Sequence, residues 1–501
     1  MSRLRTLAKE SVAYGVSSLF SRFLNFLLVP FYTHVLSPSE FGVSNIVFAL
    51  IAFLNVLYQA GFDSAYLRLA HDAEETDRKR LFSTALWSQA GLTVLFSIPF
   101  LLASSWLGEV FKIPGANRNL FPLAAIILAL DTLSVVPMAH LRYRHQALRF
   151  ASIRLGNVIV NIGGNVLFVL VLHQGLRGIF MANIFASFFT LILLLPIFLE
   201  NLRMLCDGEK FRALLRFGLP FMPAGLYGIV NEMSGRLFLG RLSAADLAHL
   251  YPGKGWDVLH LTGLFSAAWK LGVFGLLLVQ MYRLAWQPFF LQHQRDADAP
   301  ALFGRVLRLL LLFIGTCGLT LMLFLDKLVS FSIHGKTLIA QPFWDGLAIV
   351  PGVLLAYACQ AWFVHFTLGV YIAKKTRALV WINGIGAVIT VALNLLLVPY
   401  FGLWGAVWAA VVCYAVMAWL MTQKSQTLFP IDLAWRRMFP VLAWLVLCFT
   451  AGFWIQMHPN AGMIERMVLL IVGLCLPFVL GGVSPQEGRT LRAIFKGRSG
   501  P

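Results

Sequence analysis

Residues 175–200 read GLRGIFMANIFASFFTLILLLPIFLE. No residue between Arg177 and Glu200 carries a charge, an unbroken run of 22 residues, 178–199. A helix needs roughly 20 apolar residues to cross about 30 Å of hydrocarbon. This stretch is therefore expected to span a membrane.

Working outward, apolar stretches of the same kind recur from Ser11 to Val483 with short polar breaks. They explain a composition that is 59% hydrophobic and only 12% charged, where a soluble protein carries about a quarter charged residues. No segment between them is long enough for a soluble domain. The expected fold class is an all-α polytopic membrane protein of about fourteen transmembrane helices. They fall at about 11–36, 41–67, 81–107, 119–141, 150–172, 177–200, 213–240, 260–285, 303–325, 343–370, 378–398, 403–423, 438–457 and 463–483. The basic start, MSRLRTLAKE, looks like the head of a signal peptide. The run behind it extends to about Leu36, contains Arg22 and lacks a small-residue cleavage site, so it reads as the first span.

The net charge of +18 would suggest nucleic acid in a soluble protein. Here the cations tell a different story. With fourteen spans, 29 of the 40 Lys and Arg residues fall on one side, eight on the other and three inside helices. That asymmetry places both termini in the cytoplasm, as the positive-inside rule requires, and argues against a nucleic-acid partner. The six cysteines are scattered and form no CxxC, so neither a metal site nor a disulfide framework is expected.

The chain also resembles itself at an offset of about 227 residues. Gly175-Leu-Arg-Gly178 returns as Gly402-Leu-Trp-Gly405, with Asn165 ahead of the first and Asn394 ahead of the second. The basic loop around Arg142 to Arg149 corresponds to Lys374 to Arg377. Each repeat holds six helices, an even number, so both copies enter from the same face. Two parallel lobes follow, 1–205 and 206–430, a plan that rocking transporters use. Residues 431–501 add two further helices and a basic tail.

Three cations lie within spans: Arg22, Arg236 and Lys270. A cation at the bilayer centre costs at least roughly 2.5–3.5 kcal/mol, so such residues face the bundle interior or water. Arg22 is fourteen residues beyond Ala8, or roughly 21 Å of helix, too far for easy snorkelling. Together the three could line a cationic cavity suited to a pyrophosphate. The competing reading pairs them with intramembrane acids, for which Asp63, Asp131 and Glu232 are available. Glu232 stands four residues before Arg236, in position for a local ion pair. Pro220 and Pro223 are candidate hinges in the seventh span. Asn25, Asn45, Asn55, Gln59, Gln280 and Gln360 could meet sugar hydroxyls or hydrogen-bond between helices.

These residues resemble a family. Tyr14-Gly15, Arg22, Pro30 and Leu36-Ser-Pro-Ser-Glu-Phe-Gly42 look like the first hairpin of Wzx-type polysaccharide-biosynthesis flippases. Phe217-Gly-Leu-Pro220 through Arg236 resembles their seventh helix. Gly369-Val-Tyr-Ile-Ala-Lys-Lys375 through Asn394, Pro399 and Gly402-Leu-Trp-Gly-Ala406 is the most specific match. The resemblance covers roughly residues 9–430 and places the chain in the multidrug/oligosaccharidyl-lipid/polysaccharide (MOP) exporter superfamily. It implies a transporter, not an enzyme, with no cofactor, in the bacterial inner membrane. The implied substrate is an undecaprenyl-pyrophosphate-linked oligosaccharide for surface polysaccharide such as exopolysaccharide or O-antigen. The implied partners are membrane lipids and the polymerase and glycosyltransferases of the same pathway.

Two departures stand out. Gly235 precedes Arg236 where the family often has Asp, and residues 249–263, HLYPGKGWDVLHLTG, look like an insertion read as a solvated loop. Three alternatives compete with this function. A cation antiporter of the related MATE group would want an acid in the first helix, which instead has Arg22. A lipid II flippase belongs to a sister family. A polymerase or glycosyltransferase could use Asp296-Ala-Asp298, but that motif stands alone in a short loop where helix-start carboxylates are ordinary.

Overall fold

A computed structural model describes residues 24, 26–333, 335–458 and 461–482. In chain order the described helices are α1 (Phe26–Val35), α2 (Pro38–Gln59), α3 (Phe62–Asp72), α4 (Glu75–Leu102) and α5 (Ser104–Val110). There follow α6 (Leu120–Tyr143), α7 (Ala147–Asn165), α8 (Gly175–Asn201), α9 (Gly208–Gly218), α10 (Met222–Leu239) and α11 (Ala244–Leu250). Then come α12 (Val258–Leu271), α13 (Val273–His293), α14 (Ala299–Ser330), α15 (Val350–Ile372) and α16 (Arg377–Phe401). The last are α17 (Leu403–Leu428), α18 (Trp435–Met457) and α19 (Met463–Val479). A two-residue antiparallel hairpin, Ser332–Ile333 with Lys336–Thr337, follows α14.

Eleven of these segments are long and apolar enough to cross a membrane, and twelve if α12 and α13, bent by 42°, form one span. The remaining two of the fourteen expected spans correspond to α1, described only from its later part, and to α19, which has 17 residues. The protein is thus a multi-pass helical membrane protein.

Several expected spans are not single helices. The second breaks at Ala60 and Gly61, both left-handed, into α2 and α3. The break seats against α9, where a Cβ on Gly61 would stand 2.3 Å from the Gly218 carbonyl oxygen. The seventh narrows to a 3₁₀ turn at Leu219–Phe221 that carries Pro220, and α10 restarts with Pro223 in its first turn. Proline lacks the N–H that a continuing α-helix would use. The motif Ser37-Pro-Ser-Glu40 proves to be a helix start: Ser37 and Glu40 form a capping box, with Pro38 in the first turn.

Helix packing groups the chain into two compact units, Met1–Lys270 with Asn383–Ala409, and Leu271–Ile382 with Ala410–Pro501. The first unit has a core of Phe62, Tyr66, Phe82, Val136, Leu141 and Leu194. Lipid supplies little hydrophobic drive between helices, so close backbone approach matters. A Cβ on Gly42 would lie 1.9 Å from the Leu259 carbonyl oxygen, and one on Gly263 the same distance from that of Pro38. Only glycine lets α2 and α12 meet there. In the second unit α18 and α19 pack on α14. Arg466, 0% exposed, bonds the Asp326 carboxylate and the Leu323 carbonyl.

Positions matched in the sequence share local geometry. Gly175 and Gly402 share a left-handed backbone, φ +52° and +53°. Asn165 and Asn394 are both buried and donate to the carbonyl four residues earlier, at 2.8 and 2.7 Å. Each half also holds a tyrosine hydroxyl on a histidine Nδ1: Tyr66 with His140 at 2.7 Å and Tyr282 with His365 at 2.6 Å.

Candidate functional site

Two places within the first unit gather the polar side chains of spanning helices. The first is cationic. Lys270, at the end of α12, holds its Nζ 4.6 Å from the centroid of the Phe41 ring on α2. Arg236 on α10 stands over the Phe265 ring of α12 at 5.9 Å. The two charges lie near enough to act on each other. Arg236 is only 5% exposed, so it does not snorkel to an interface. Its Nη1 donates to the main-chain carbonyl of Glu232 at 3.1 Å and contacts the Met233 sulfur at 3.2 Å. Aromatic faces stabilise a desolvated cation but do not neutralise it.

The other predicted members divide differently. Arg22 and Asn25 lie outside the described residues. Asp63 pairs with Arg142 at 3.5 Å, and Asp131 accepts a hydrogen bond from Ser187 at 2.6 Å. Both acids sit in the second place, a cavity of about 430 Å³ lined from α2, α3, α6, α7 and α8. The lining includes Asn55, Gln59, Asp63, Asp131, Arg142 and Arg154 together with Ser134, Asn157, Asn183, Ser187 and Thr190. Arg142, read from the sequence as a loop cation, here lines a cavity together with Arg154.

Asn157, Asn183, Ser187 and Thr190 were not singled out from the sequence. The signal was present as spacing: Asn183, Ser187 and Thr190 stand at i, i+4 and i+7, one face of α8, as Asn55 and Gln59 do on α2. Single polar residues in an apolar helix are individually unremarkable. Only tertiary structure shows that the stripes of several helices converge.

The two places are far apart along α2. Lys270 is beside Phe41, whereas the cavity takes Asn55 and Gln59. Eighteen residues separate Phe41 from Gln59, or about 27 Å of helix. Helix α10 runs antiparallel to α2, since a Cβ on Gly240 would meet Ile46 and one on Gly225 would meet Val56. That puts Arg236 about level with Ala49, near the middle of α2.

The segment 249–263 is more ordered than a solvated loop. Asp257 accepts from the His260 amide and from the Ser39 hydroxyl, and Trp256 stacks on His260 at 5.3 Å. The Tyr251 hydroxyl accepts the Leu403 amide at 3.0 Å and so satisfies an orphan donor at the start of α17.

Residues 33–256 match the family model described as polysaccharide biosynthesis protein. No curated protein matches the chain. Among solved structures, the lipid II flippase MurJ in an inward closed conformation is similar with a TM-score of 0.70 and 12% identity, covering 97% of this chain and 100% of its own. An inward-facing multidrug-resistance MATE transporter of the MOP superfamily gives 0.63 and 15%, covering 84% and 97%. A MOP superfamily transporter from Pyrococcus furiosus, whose binding pocket is described as having reversed polarity, gives 0.54 and 16%, covering 84% and 95%. At these identities the structures establish a shared fold.

Proposed function

We propose that this chain is a polysaccharide-biosynthesis flippase of the Wzx type, a reading supported by the family model over residues 33–256 and by the shared MOP-superfamily fold, and that it translocates an undecaprenyl-pyrophosphate-linked oligosaccharide from the cytoplasmic to the outer leaflet of the bacterial inner membrane. The observation that carries this reading is the pair Lys270 and Arg236, held against aromatic rings deep in the helices of the first unit. Asp63 and Asp131, two of the three acids considered as partners, instead line the polar cavity. A cationic place in low dielectric lowers the cost of bringing a pyrophosphate out of water. With the inside negative, outward movement of an anion gains about 2.3 kcal/mol per charge per 100 mV.

The protein works by alternating access, with both termini in the cytoplasm and the polymerase and glycosyltransferases of its pathway as partners. Pro220 and Pro223 flank the 3₁₀ turn between α9 and α10, where a mid-span 3₁₀ segment suits a hinge. Arg22, Arg236 and Lys270 are the proposed pyrophosphate ligands. Lipid II is a second candidate substrate, favoured by one observation: MurJ matches the chain over 97% of its length, the MATE transporter over 84%.

The test is binding of undecaprenyl pyrophosphate to the purified protein in nanodiscs, together with surface glycan export in cells. Lys270→Ala is expected to weaken binding about 10- to 100-fold, as loss of a charge-assisted contact does, and to stop export while the protein stays inserted. Export and binding at wild-type levels in both Lys270→Ala and Arg236→Ala would remove the cationic-site reading.

A further inference from the structure

The cavity at the other end of α2 differs chemically from the cationic place. Its carboxylates and guanidinium groups balance: Asp63 pairs with Arg142, and Arg154 acts electrostatically on Asp131. A balanced lining gives an anion no preference. What the cavity does offer is unspent hydrogen-bonding capacity. Gln59 Nε2 donates to Asn55 Oδ1 at 2.8 Å, which leaves Asn55 Nδ2 and Gln59 Oε1 without a hydrogen-bond partner among the described residues. Asp131 spends one oxygen on Ser187, and Asn183 spends its amide nitrogen on the Ile179 carbonyl. The second Asp131 oxygen and Asn183 Oδ1 remain for a ligand.

Donors and acceptors so arranged suit a neutral ligand that carries many hydroxyl groups, each of which both donates and accepts. Carboxylate and amide groups can take two such hydroxyls side by side. Polar side chains in the hydrocarbon region are costly unless they face water or a ligand. The expense here is spread over five helices, so one helix-packing contact does not explain it.

We propose that this cavity is a saccharide site, in which Asn55, Gln59, Asp131 and Asn183 bind hydroxyl groups of the glycan head while the Lys270–Arg236 place serves the diphosphate. The inference rests on the reading that the substrate is a glycolipid. It adds a division of labour: charge recognition and hydroxyl recognition are separate sites at different levels of α2, with Phe41 beside Lys270 and Asn55 in the cavity about 21 Å apart along the helix.

The test uses two probes on the full-length protein in nanodiscs: undecaprenyl pyrophosphate bare, and the same lipid carrying a neutral oligosaccharide long enough to bridge the two sites. Wild-type protein is expected to bind the glycosylated lipid more tightly. Gln59→Leu is expected to weaken the glycosylated lipid about tenfold more than the bare one, the loss set by one or two buried hydrogen bonds. Asn183→Leu asks the same of a different helix if the first variant does not fold, and binding of the bare lipid reports folding for both. Lys270→Ala is expected to weaken both lipids alike. Equal wild-type affinities for the two lipids, or cavity variants that weaken both equally, would overturn the saccharide site and leave the flippase reading standing. Wild-type protein that binds neither lipid would overturn both.

Discussion

At the scale of single residues, burial turns a polar side chain either into a fixed contact or into a site. The Tyr66–His140 and Tyr282–His365 pairs are fixed contacts. His365 is fully buried and also stacks on Trp286 at 4.5 Å. Tyr282→Phe removes the hydroxyl that its Nδ1 meets and should cost about 1–3 kcal/mol, read as a lower thermal midpoint in detergent with substrate binding retained. Lys270 is the contrasting case. Its ammonium group rests on the aromatic face of Phe41, which tolerates a cation without cancelling it. The sequence singled out Lys270 and Arg236 because charge inside an apolar run is conspicuous. It also offered Glu232 as an ion-pair partner, whereas the Arg236 bond seen here goes to the Glu232 main-chain oxygen. Side-chain direction on a helix depends on the neighbouring helices, which spacing alone does not specify.

At the scale of elements, the helices are held by small residues and by a few buried polar bonds. Gly42→Ala places a methyl against the Leu259 backbone and should prevent α2 from seating on α12. Gly91→Ala, with nothing within 4 Å of its Cβ, is the matched control. The expected result is loss of monodisperse, folded protein on size exclusion for the first and wild-type behaviour for the second. Arg466, one of the eight cations expected on the outer side, is a structural ion pair that ties α19 to α14. Arg466→Leu leaves the Asp326 carboxylate with the longer Lys327 contact at 3.9 Å. It should cost roughly 2–3 kcal/mol, below the usual range for a fully buried pair because Asp326 is partly exposed. A lowered unfolding midpoint without loss of membrane insertion would bear this out. Boundaries of the spans were legible from the apolar runs, and Pro220 and Pro223 marked the interruption of the seventh; the breaks at Gly61 and Gly272 were not legible. Breaks of this kind arise where a neighbour presses on the backbone, as Gly218 does at Gly61.

At the scale of the whole molecule, the chain combines a fold shared with MOP-superfamily transporters and a polar interior that a membrane protein retains only at a cost. With fourteen spans, the charge asymmetry of 29 cations on one side against eight on the other predicts an orientation. Single cysteines introduced at Arg78 and at Lys254 in a cysteine-free background should react with a membrane-impermeant thiol reagent on opposite sides. Lys254 is expected to label from outside intact cells and Arg78 only after permeabilisation. Labelling of both from one side would overturn the assigned orientation.

The amino-acid sequence by itself determined that this is a many-span helical membrane protein with a repeated unit and cations in its spans. Hydrocarbon thickness sets the length of every run, and backbone polar groups in lipid leave the helix as the solution for runs of that length. Tertiary structure alone decided that Asp63 and Asp131 line one polar cavity and that Arg236 and Lys270 lie near enough to act on each other. Convergence of side chains from five helices depends on how each helix is rotated about its axis, and that rotation is fixed by packing against neighbours.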